Sequence, residues 1–288
     1  MSAQKQKYEI FKTFHQHRTT FVMPNPWDAG SARLLTSLGF EALATTSAGF
    51  AFSTGRRDSL TALACQDVLT NAAAIVSATH LPVSADLGNG FGADPETCAE
   101  TIRLASAIGL VGGSIEDATG DPERPIYDFG HAVDRVKAAV EAARDLPFIL
   151  TARAESQLYG DASLDATIRR LQAFSEAGAD VLYAPGLRDI DAIREVCRSV
   201  DKPVNVVMGL KGPVYSVAEL QEAGVRRISV GGSLARAALG GLMRAAREIR
   251  DAGTFSYTAE ALPGADLSSL MSPDPVFERR DEETTDEI

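Results

Sequence analysis

The sequence has few of the residues that carry sulfur or imidazole chemistry. Its three cysteines form no CxxC pair, and its four histidines fall in or beside predicted helices. Neither a disulfide framework nor a cysteine/histidine zinc site is therefore expected. Buried reduced thiols fit a reducing compartment, so we expect a cytoplasmic protein. The residues in question are Cys65, Cys98, Cys197, His15, His17, His80 and His131.

Long apolar runs and an excess of positive charge are also missing. No run approaches the length of a membrane span, and the first residues lack the apolar core of a signal peptide. The formal charge of −11 would repel phosphate, so neither nucleic acid nor membrane is expected as a partner. Part of the acidic excess lies at the end of the chain, residues 281–288, which we interpret as a solvated, flexible tail.

Two further absences narrow the fold and the mechanism. No G-x-G-x-x-G fingerprint opens a helix after the first strand, which argues against an open dinucleotide-binding sheet. A Schiff-base aldolase needs a lysine at a strand end. Lys137 lies in a predicted helix, Lys202 precedes its strand, and Lys211 is interpreted as a solvated loop charge.

What the sequence does contain is a regular alternation of short apolar runs and longer helix-like segments. Eight such units in 288 residues predict an α/β fold of the (β/α)₈ TIM-barrel type. We assign the barrel to residues 1–254 and a helical or irregular C-terminal extension to residues 255–288. The predicted strands are Phe21–Met23, Glu41–Thr45, Pro82–Asp86, Leu110–Ile115, Phe148–Ala152, Asp180–Tyr183, Pro203–Val207 and Arg227–Val230, and the predicted helices include Asp28–Leu38, Leu63–Val76, Pro95–Ile108, Ala132–Ala143, Leu164–Ala177 and Ser233–Arg250.

Acidic side chains gather at the carboxyl ends of strands three to five, where a barrel places its catalytic groups. So many acids need a cation, and oxygen ligands without histidine or cysteine favour Mg²⁺, with Mn²⁺ as the alternative ion. The guanidinium of Arg153 suits a substrate carboxylate, although an ion pair with a neighbouring acid explains it equally well. Some of the acids could likewise be structural. The groups at these ends are Asp86, Glu116, Asp117, Arg153 and Glu155, and Asn205 is a further candidate for substrate binding.

Five segments in order resemble landmarks of the isocitrate lyase/phosphoenolpyruvate mutase superfamily. The similarity spans roughly residues 20–255, and the segments are specific together rather than singly. They are Pro24-Asn25-Pro26-Trp27-Asp28-Ala29, Thr45-Thr46-Ser47-Ala48-Gly49, Ser84-Ala85-Asp86-Leu87 with Gly90-Phe91-Gly92, Gly113-Ser114-Ile115-Glu116-Asp117, and Ala152-Arg153-Ala154-Glu155.

The resemblance implies a barrel whose last helix is exchanged between subunits in dimers or tetramers. It implies chemistry at a C–C or P–C bond next to a 2-oxo acid, with an enolpyruvate-like anion stabilised by Mg²⁺. Asp86 and Glu116 then match metal-site acids, and Asp58 matches an acid that supports the water shell of the metal. Arg153 matches the arginine that binds the substrate carboxylate. Thr46, Ser47 and Ala48 match the loop whose backbone holds the substrate.

Departures from the family pattern indicate a less typical branch. The segment from Glu116 to Pro125 lacks the Lys-Lys-Cys-Gly-His motif of isocitrate and methylisocitrate lyases, and it lacks the gating loop of the phosphonate enzymes. Pro185 stands where the mutase has a histidine. Gly88 replaces a second acid two residues after Asp86, which should weaken Mg²⁺ binding unless Asp117 compensates.

We therefore expect a Mg²⁺-dependent lyase that cleaves a C–C bond beside a small 2-oxo or 2-hydroxy acid. Decarboxylation of an oxaloacetate-like acid and cleavage of a substituted malate both fit. One alternative is a phosphoenolpyruvate mutase-like reaction at a P–C bond, and another is a catalytically weak protein that binds 2-oxo acids. Glu155 and Tyr159 are the candidates for the general acid or base.

Overall fold

Eight short parallel strands form one sheet in the structure, a computed structural model that describes residues 2–17, 19–160, 163–210 and 212–272. Each strand pairs with its neighbour along the chain from β2 to β8, and β8 returns to pair with β1. The strands are β1 (Phe21–Met23), β2 (Leu43–Ala44), β3 (Val83–Asp86), β4 (Gly112–Glu116), β5 (Ile149–Arg153), β6 (Val181–Tyr183), β7 (Val204–Val207) and β8 (Arg227–Ser229).

Hydrogen bonds between the ends of β1 and β2 nearly close this sheet into a barrel, and we call this junction the seam. The Ala44 N–H donates to the Pro24 carbonyl across the seam (3.0 Å). Above it, the Asn25 amide donates to the Thr45 carbonyl (2.9 Å), while its oxygen accepts from the Val230 N–H (2.8 Å). One side chain thus ties the ends of β1, β2 and β8 together. The prediction of a TIM barrel is confirmed.

Helices surround the sheet and connect its strands. Each predicted helix is present, with boundaries shifted by a few residues. Asp28 is the N-cap of the helix Ala29–Ser37. Its carboxylate accepts from the Ser31 N–H (2.7 Å), a main-chain donor that has no partner within the helix. The helices are α1 (Ala3–Gln16), α2 (Ala29–Ser37), α3 (Ser47–Ser53), α4 (Cys65–Ser77), α5 (Pro95–Ala107), α6 (Phe129–Ala143), α7 (Leu164–Glu176), α8 (Ile190–Ser199), α9 (Val217–Glu222), α10 (Ser233–Ala252) and α11 (Gly264–Leu270).

Helix α1 covers the amino-terminal end of the barrel. Phe11 is fully buried there among barrel residues that include Phe21 and Ile149. His15, one turn later, donates through Nδ1–H to the Phe11 carbonyl (2.8 Å) and lies edge-on to the rings of Phe11 and Phe21. Burial, with a smaller contribution from the charge of Arg227, lowers the pKa of His15 to about 3. This end of the barrel is therefore sealed by a neutral imidazole and an aromatic cluster.

The C-terminal part of the chain leaves the barrel after β8. Of the twenty residues of α10, Ala235 is the one buried, while Leu242 and Met243 are exposed. A 3₁₀ turn (Ser256–Glu260) and α11 follow. The division into a barrel over residues 1–254 and an extension over 255–288 stays a prediction. The acidic tail and Lys211 lie outside the described residues. In the described ranges, no helix combines the length and apolar character that a bilayer crossing requires.

Candidate active site

A cavity of about 470 Å³ opens at the carboxyl ends of the strands, where the sequence placed the site. Its lining includes the predicted residues Thr46, Ser47, Ala48, Asp58, Asp86, Arg153 and Asn205. Glu116 and Glu155 are buried behind this lining and reach the site through Arg153. The structure therefore brings together all the residues that we expected to bind substrate or metal.

Arg153, the last residue of β5, is the centre of the charged cluster. Its Nη1 donates to Asp86 (3.1 Å), its Nη2 to Glu116 (3.1 Å) and its Nε to Glu155 (2.9 Å). The ring of Tyr183 on β6 lies 4.9 Å from the guanidinium carbon, in cation–π contact. Both interpretations of Arg153 are thus compatible with its position: three of its five N–H groups donate to acids, and its side chain also lines the cavity.

The cluster contains more acids than cations. Burial raises the pKa of Glu116 to about 8 and also raises the pKa of Glu155, although Arg153 opposes both shifts. Asp58 lies at the exposed rim, where partial desolvation and then the charge of Asp86 raise its pKa. A single guanidinium does not neutralise these groups, so the site favours either added protons or an added cation.

Residues at this site fit a magnesium ion in chemical type. Asp86 and Glu116 offer oxygen atoms that Mg²⁺ prefers, and Asp58 stands at the rim above them. In the described part of the chain, no three histidine, cysteine or acidic side chains are grouped as a ready metal cage. A Mg²⁺ ion commonly keeps several water ligands, so two carboxylates with water are a sufficient donor set.

The residues at the start of α3 and just before it position Asp86. The Ser47 hydroxyl and N–H both donate to Asp86 Oδ2, at 2.7 and 3.3 Å, and the Thr45 hydroxyl accepts from the Asp86 N–H (3.0 Å). Thr46 caps α3 by accepting from the Gly49 N–H. The predicted role of this segment as a substrate-binding backbone stays a prediction, because Ser47 is directed at Asp86 in the structure.

Asp117 does not replace the acid that Gly88 lacks. Its two carboxylate oxygens accept from the Glu155 N–H (2.8 Å) and from Arg170 (3.0 Å), away from the cavity. Burial raises its pKa to about 6. Gly88 itself has φ +52°, and a Cβ built on it would lie 3.2 Å from Leu60. The hypothesis that Asp117 compensates for Gly88 is therefore not supported by its contacts.

The candidates for the general acid or base differ in their access to the cavity. Glu155 is 3% exposed and lies beneath Arg153, outside the cavity lining. Tyr159 is 49% exposed and also lies outside it. Glu155 is thus placed to orient Arg153 rather than to meet substrate. No described residue of the lining is a histidine, cysteine or lysine.

The loop after β4 is short and folded. Ala118 and Ile126 form an isolated antiparallel bridge, and the Thr119 N–H donates to the Pro125 carbonyl (2.9 Å). By the resemblance described above, isocitrate and methylisocitrate lyases carry the Lys-Lys-Cys-Gly-His motif in the corresponding loop. In this chain the loop is held by its own main-chain contacts, and the segment from Glu116 to Pro125 contains no cysteine or lysine.

Arg227 is a site residue that the sequence reasoning missed. It is 4% exposed, lies in β8 and contributes to the deep part of the cavity lining. Its Nε donates to Asn205 (2.8 Å) and its Nη2 to Thr151 (2.9 Å), while Nη1 lies 3.4 Å from His15 Nε2. Burial lowers its pKa to about 9. An arginine inside a predicted buried strand was the signal that could have identified it.

Comparison with known proteins decides the family. The family model described as phosphoenolpyruvate phosphomutase matches residues 11–250. The chain belongs to the isocitrate lyase/phosphoenolpyruvate mutase superfamily. The resemblance seen in the five sequence segments is thereby confirmed, and the chain is an enzyme of a superfamily in which similar proteins are lyases.

Three similar proteins indicate the range of the superfamily. 2-Methylisocitrate lyase of Escherichia coli K12 is 30% identical over 206 residues, which is 69% of each chain. A structure described as a putative lyase/mutase from Burkholderia cenocepacia J2315 has 55% identity and a TM-score of 0.92, covering 94% of this chain and 98% of the other. The structure of 2,3-dimethylmalate lyase has 26% identity and a TM-score of 0.85, covering 96% and 99%.

Proposed function

We propose that the protein is a Mg²⁺-dependent lyase that cleaves a C–C bond next to a small 2-oxo or 2-hydroxy diacid. The observation that supports this most strongly is the convergence of Asp86, Glu116 and Glu155 on Arg153 at the mouth of the barrel. The similarity to 2-methylisocitrate lyase and 2,3-dimethylmalate lyase supports the same reaction class.

Each residue of the cluster has a separate task in this proposal. Asp86 and Glu116 would hold the metal, with Asp58 hydrogen-bonded to its water ligands. When bound, Mg²⁺ would supply the positive charge that stabilises the enolate-like anion left by bond cleavage. Arg153 would donate its two remaining N–H groups to a substrate carboxylate, and Glu155 would hold the guanidinium in place through Nε.

Decarboxylation fits the lining of the cavity better than cleavage of a substituted malate. Loss of the carboxylate beta to the oxo group of an oxaloacetate-like acid releases CO₂ and leaves an enolate, which then needs only a proton. Cleavage of a 2-hydroxy acid also needs a base for the hydroxyl proton. The described lining offers Asp58 at the rim for that task but no histidine, cysteine or lysine.

The proposal is tested by measuring pyruvate release from a panel of 2-oxo and 2-hydroxy diacids, with and without Mg²⁺. Asp86→Asn should lower kcat by at least about a hundredfold, because it removes the charge that holds the metal. Asp134→Asn, an exposed acid on α6, is the matched control and should leave the rate unchanged. Mg²⁺-independent turnover, or an active Asp86→Asn enzyme, would contradict the proposal.

Two other functions are outcomes of the same experiment. Phosphorus NMR with phosphonopyruvate would reveal P–C bond chemistry, which the match to the phosphoenolpyruvate phosphomutase family makes the second candidate. Binding of oxaloacetate without any turnover would instead indicate a 2-oxo-acid binding protein.

A further inference from the structure

Arg227 is a buried cation that has no acidic partner among the described residues. All three of its contacts are neutral: the Asn205 amide oxygen, the Thr151 hydroxyl and the His15 ring. No described carboxylate lies within salt-bridge distance of it, whereas Arg153 has three and the partly buried Arg170 has Asp117. The other buried arginine, Arg135, also has no carboxylate partner among the described residues, but it donates to the main-chain carbonyls of Asn89, Gly92 and Ala93 and does not line the cavity. A buried charge without a counter-ion is costly, which suggests that its partner is a ligand.

The inside of the barrel leaves Arg227 open to the cavity. The lining between the mouth and Arg227 includes small side chains from several strands, namely Ala44, Ser84, Ser114 and Ser229. A typical barrel fills these layers with bulky branched residues. Here the cavity continues past the mouth to the guanidinium, which has five N–H groups and uses no more than three of them.

Arg153 and Arg227 both line this cavity. Thr151, which accepts from Arg227, comes two residues before Arg153 on β5, so Arg227 contacts β5 one inward-facing position closer to the amino-terminal end of the strand than Arg153. Two residues of a strand span roughly 6 to 7 Å. That separation is close to the length of a short dicarboxylic acid, and among the described lining residues these two are the arginines.

We propose that Arg227 forms the floor of the substrate site and binds the carboxylate of a dicarboxylic acid that lies farther from Arg153. This inference rests on the proposed function and adds a substrate specificity to it: the enzyme selects diacids over monocarboxylic acids. Asn205, predicted to bind substrate, holds Arg227 and Ser229 in place by hydrogen bonds of 2.8 and 3.1 Å and so acts as a positioning residue.

Calorimetry with unreactive acids tests the inference without any need for catalysis. Oxalate, malonate and succinate are compared with acetate for the wild type, for Arg227→Met and for Arg226→Met. The last is the matched control, because Arg226 is the adjacent arginine and is not part of the cavity lining. We expect the wild type and Arg226→Met to bind the best diacid at least thirtyfold more tightly than acetate. In Arg227→Met this ratio should fall below three.

A retained diacid preference in folded Arg227→Met would overturn the inference. Without ligand, the Tm of Arg227→Met should equal or exceed that of the wild type, because an unpaired buried charge has been removed. If Arg227 were purely structural, the Tm of the variant would be lower.

If the variant does not fold, wild-type crystals grown in bromide decide the question. An anomalous peak beside the Arg227 guanidinium supports the anion site, and no peak there overturns it. A failed lyase assay leaves these binding results intact, so the two proposals fail separately.

Discussion

Single residues determine how the site balances its charges. Arg153 was predicted from its place at a strand end, and its three acidic partners follow from the same rule about barrel mouths. Arg227 was missed, since its importance depends on which neighbours it lacks. That information comes from packing across the barrel, between residues as distant in sequence as His15 and Arg227, and local patterns do not contain it.

Gly88 allows a direct test of the missing acid. Gly88→Asp should bind Mg²⁺ roughly tenfold more tightly than Gly88→Asn, because the two side chains are alike in size and differ in charge. Both variants adopt the same φ of +52°, which asparagine and aspartate tolerate best, so the strain is common to both. Calorimetric Mg²⁺ affinities measure the difference. Equal affinities would mean that a carboxylate at this position does not reach the metal.

His15 predicts a pH dependence of stability. Its pKa is about 3 in the folded protein, against an ordinary value of 6.5 for histidine, so the unfolded chain binds a proton first as the pH falls. The stability that His15 contributes is complete above pH 6.5 and is lost between pH 6.5 and 3. The free energy of unfolding, measured in urea, should therefore decrease more steeply over this pH range for the wild type than for His15→Gln.

The difference between the two proteins isolates the imidazole. Buried carboxyls with raised pKa values, such as Glu116, act in the opposite direction, but they are common to both proteins. Parallel pH profiles of the wild type and His15→Gln would show that His15 is already accessible to protons in the folded state.

Among the elements, predictability followed length and repetition. The strands and the six helices named from the sequence were located to within a few residues, because apolar periodicity recurs along the chain; α8 was not among them. The short α3 and α9, with seven and six residues, lack enough turns to show a periodicity. Helix α1 stands outside the repeat and was not predicted, although it closes the amino-terminal end of the barrel.

The seal made by α1 should be important for stability. Phe11→Ala is expected to lower the free energy of unfolding by about 3 to 5 kcal/mol, since it leaves a cavity among buried aromatic rings. Thr13→Ala, at an exposed position of the same helix, should change it by less than about 0.5 kcal/mol. Chemical denaturation of both variants measures the effect. A small loss for Phe11→Ala would mean that α1 packs loosely on the barrel.

For the whole molecule, the exposed face of α10 is the feature that most calls for a partner. Leucine and methionine side chains remain in solvent along a helix of twenty residues, and this supports our prediction that α10 packs on, or exchanges with, a second copy of the chain. The sequence predicted this helix as Ser233–Arg250, in which Leu234, Leu242 and Ile249 recur at helical spacing and form one apolar stripe. An apolar stripe of this kind could equally pack on the barrel of its own chain, so the sequence did not predict which surface the helix covers.

Light scattering after size exclusion tests this arrangement. The wild type should be a dimer or tetramer, and Leu242→Glu should shift it towards the monomer, because the charge would be buried in the interface. Leu38→Glu is the matched control: Leu38 is 73% exposed and Leu242 63%, but Leu38 lies at the end of α2. A monomeric wild type, or equal masses for all three proteins, would contradict the prediction.

The unpaired Arg227 has a consequence for the lifetime of the protein. Because Arg227 is buried without a counter-ion, it lowers the free energy of unfolding of the ligand-free protein. An anion that binds beside Arg227 would raise that free energy again. The population of unfolded chains, which proteases degrade, would then fall as the concentration of the acid rises. Cells rich in the substrate would retain more of the enzyme, and cells depleted of it would clear the enzyme faster, without any change in synthesis.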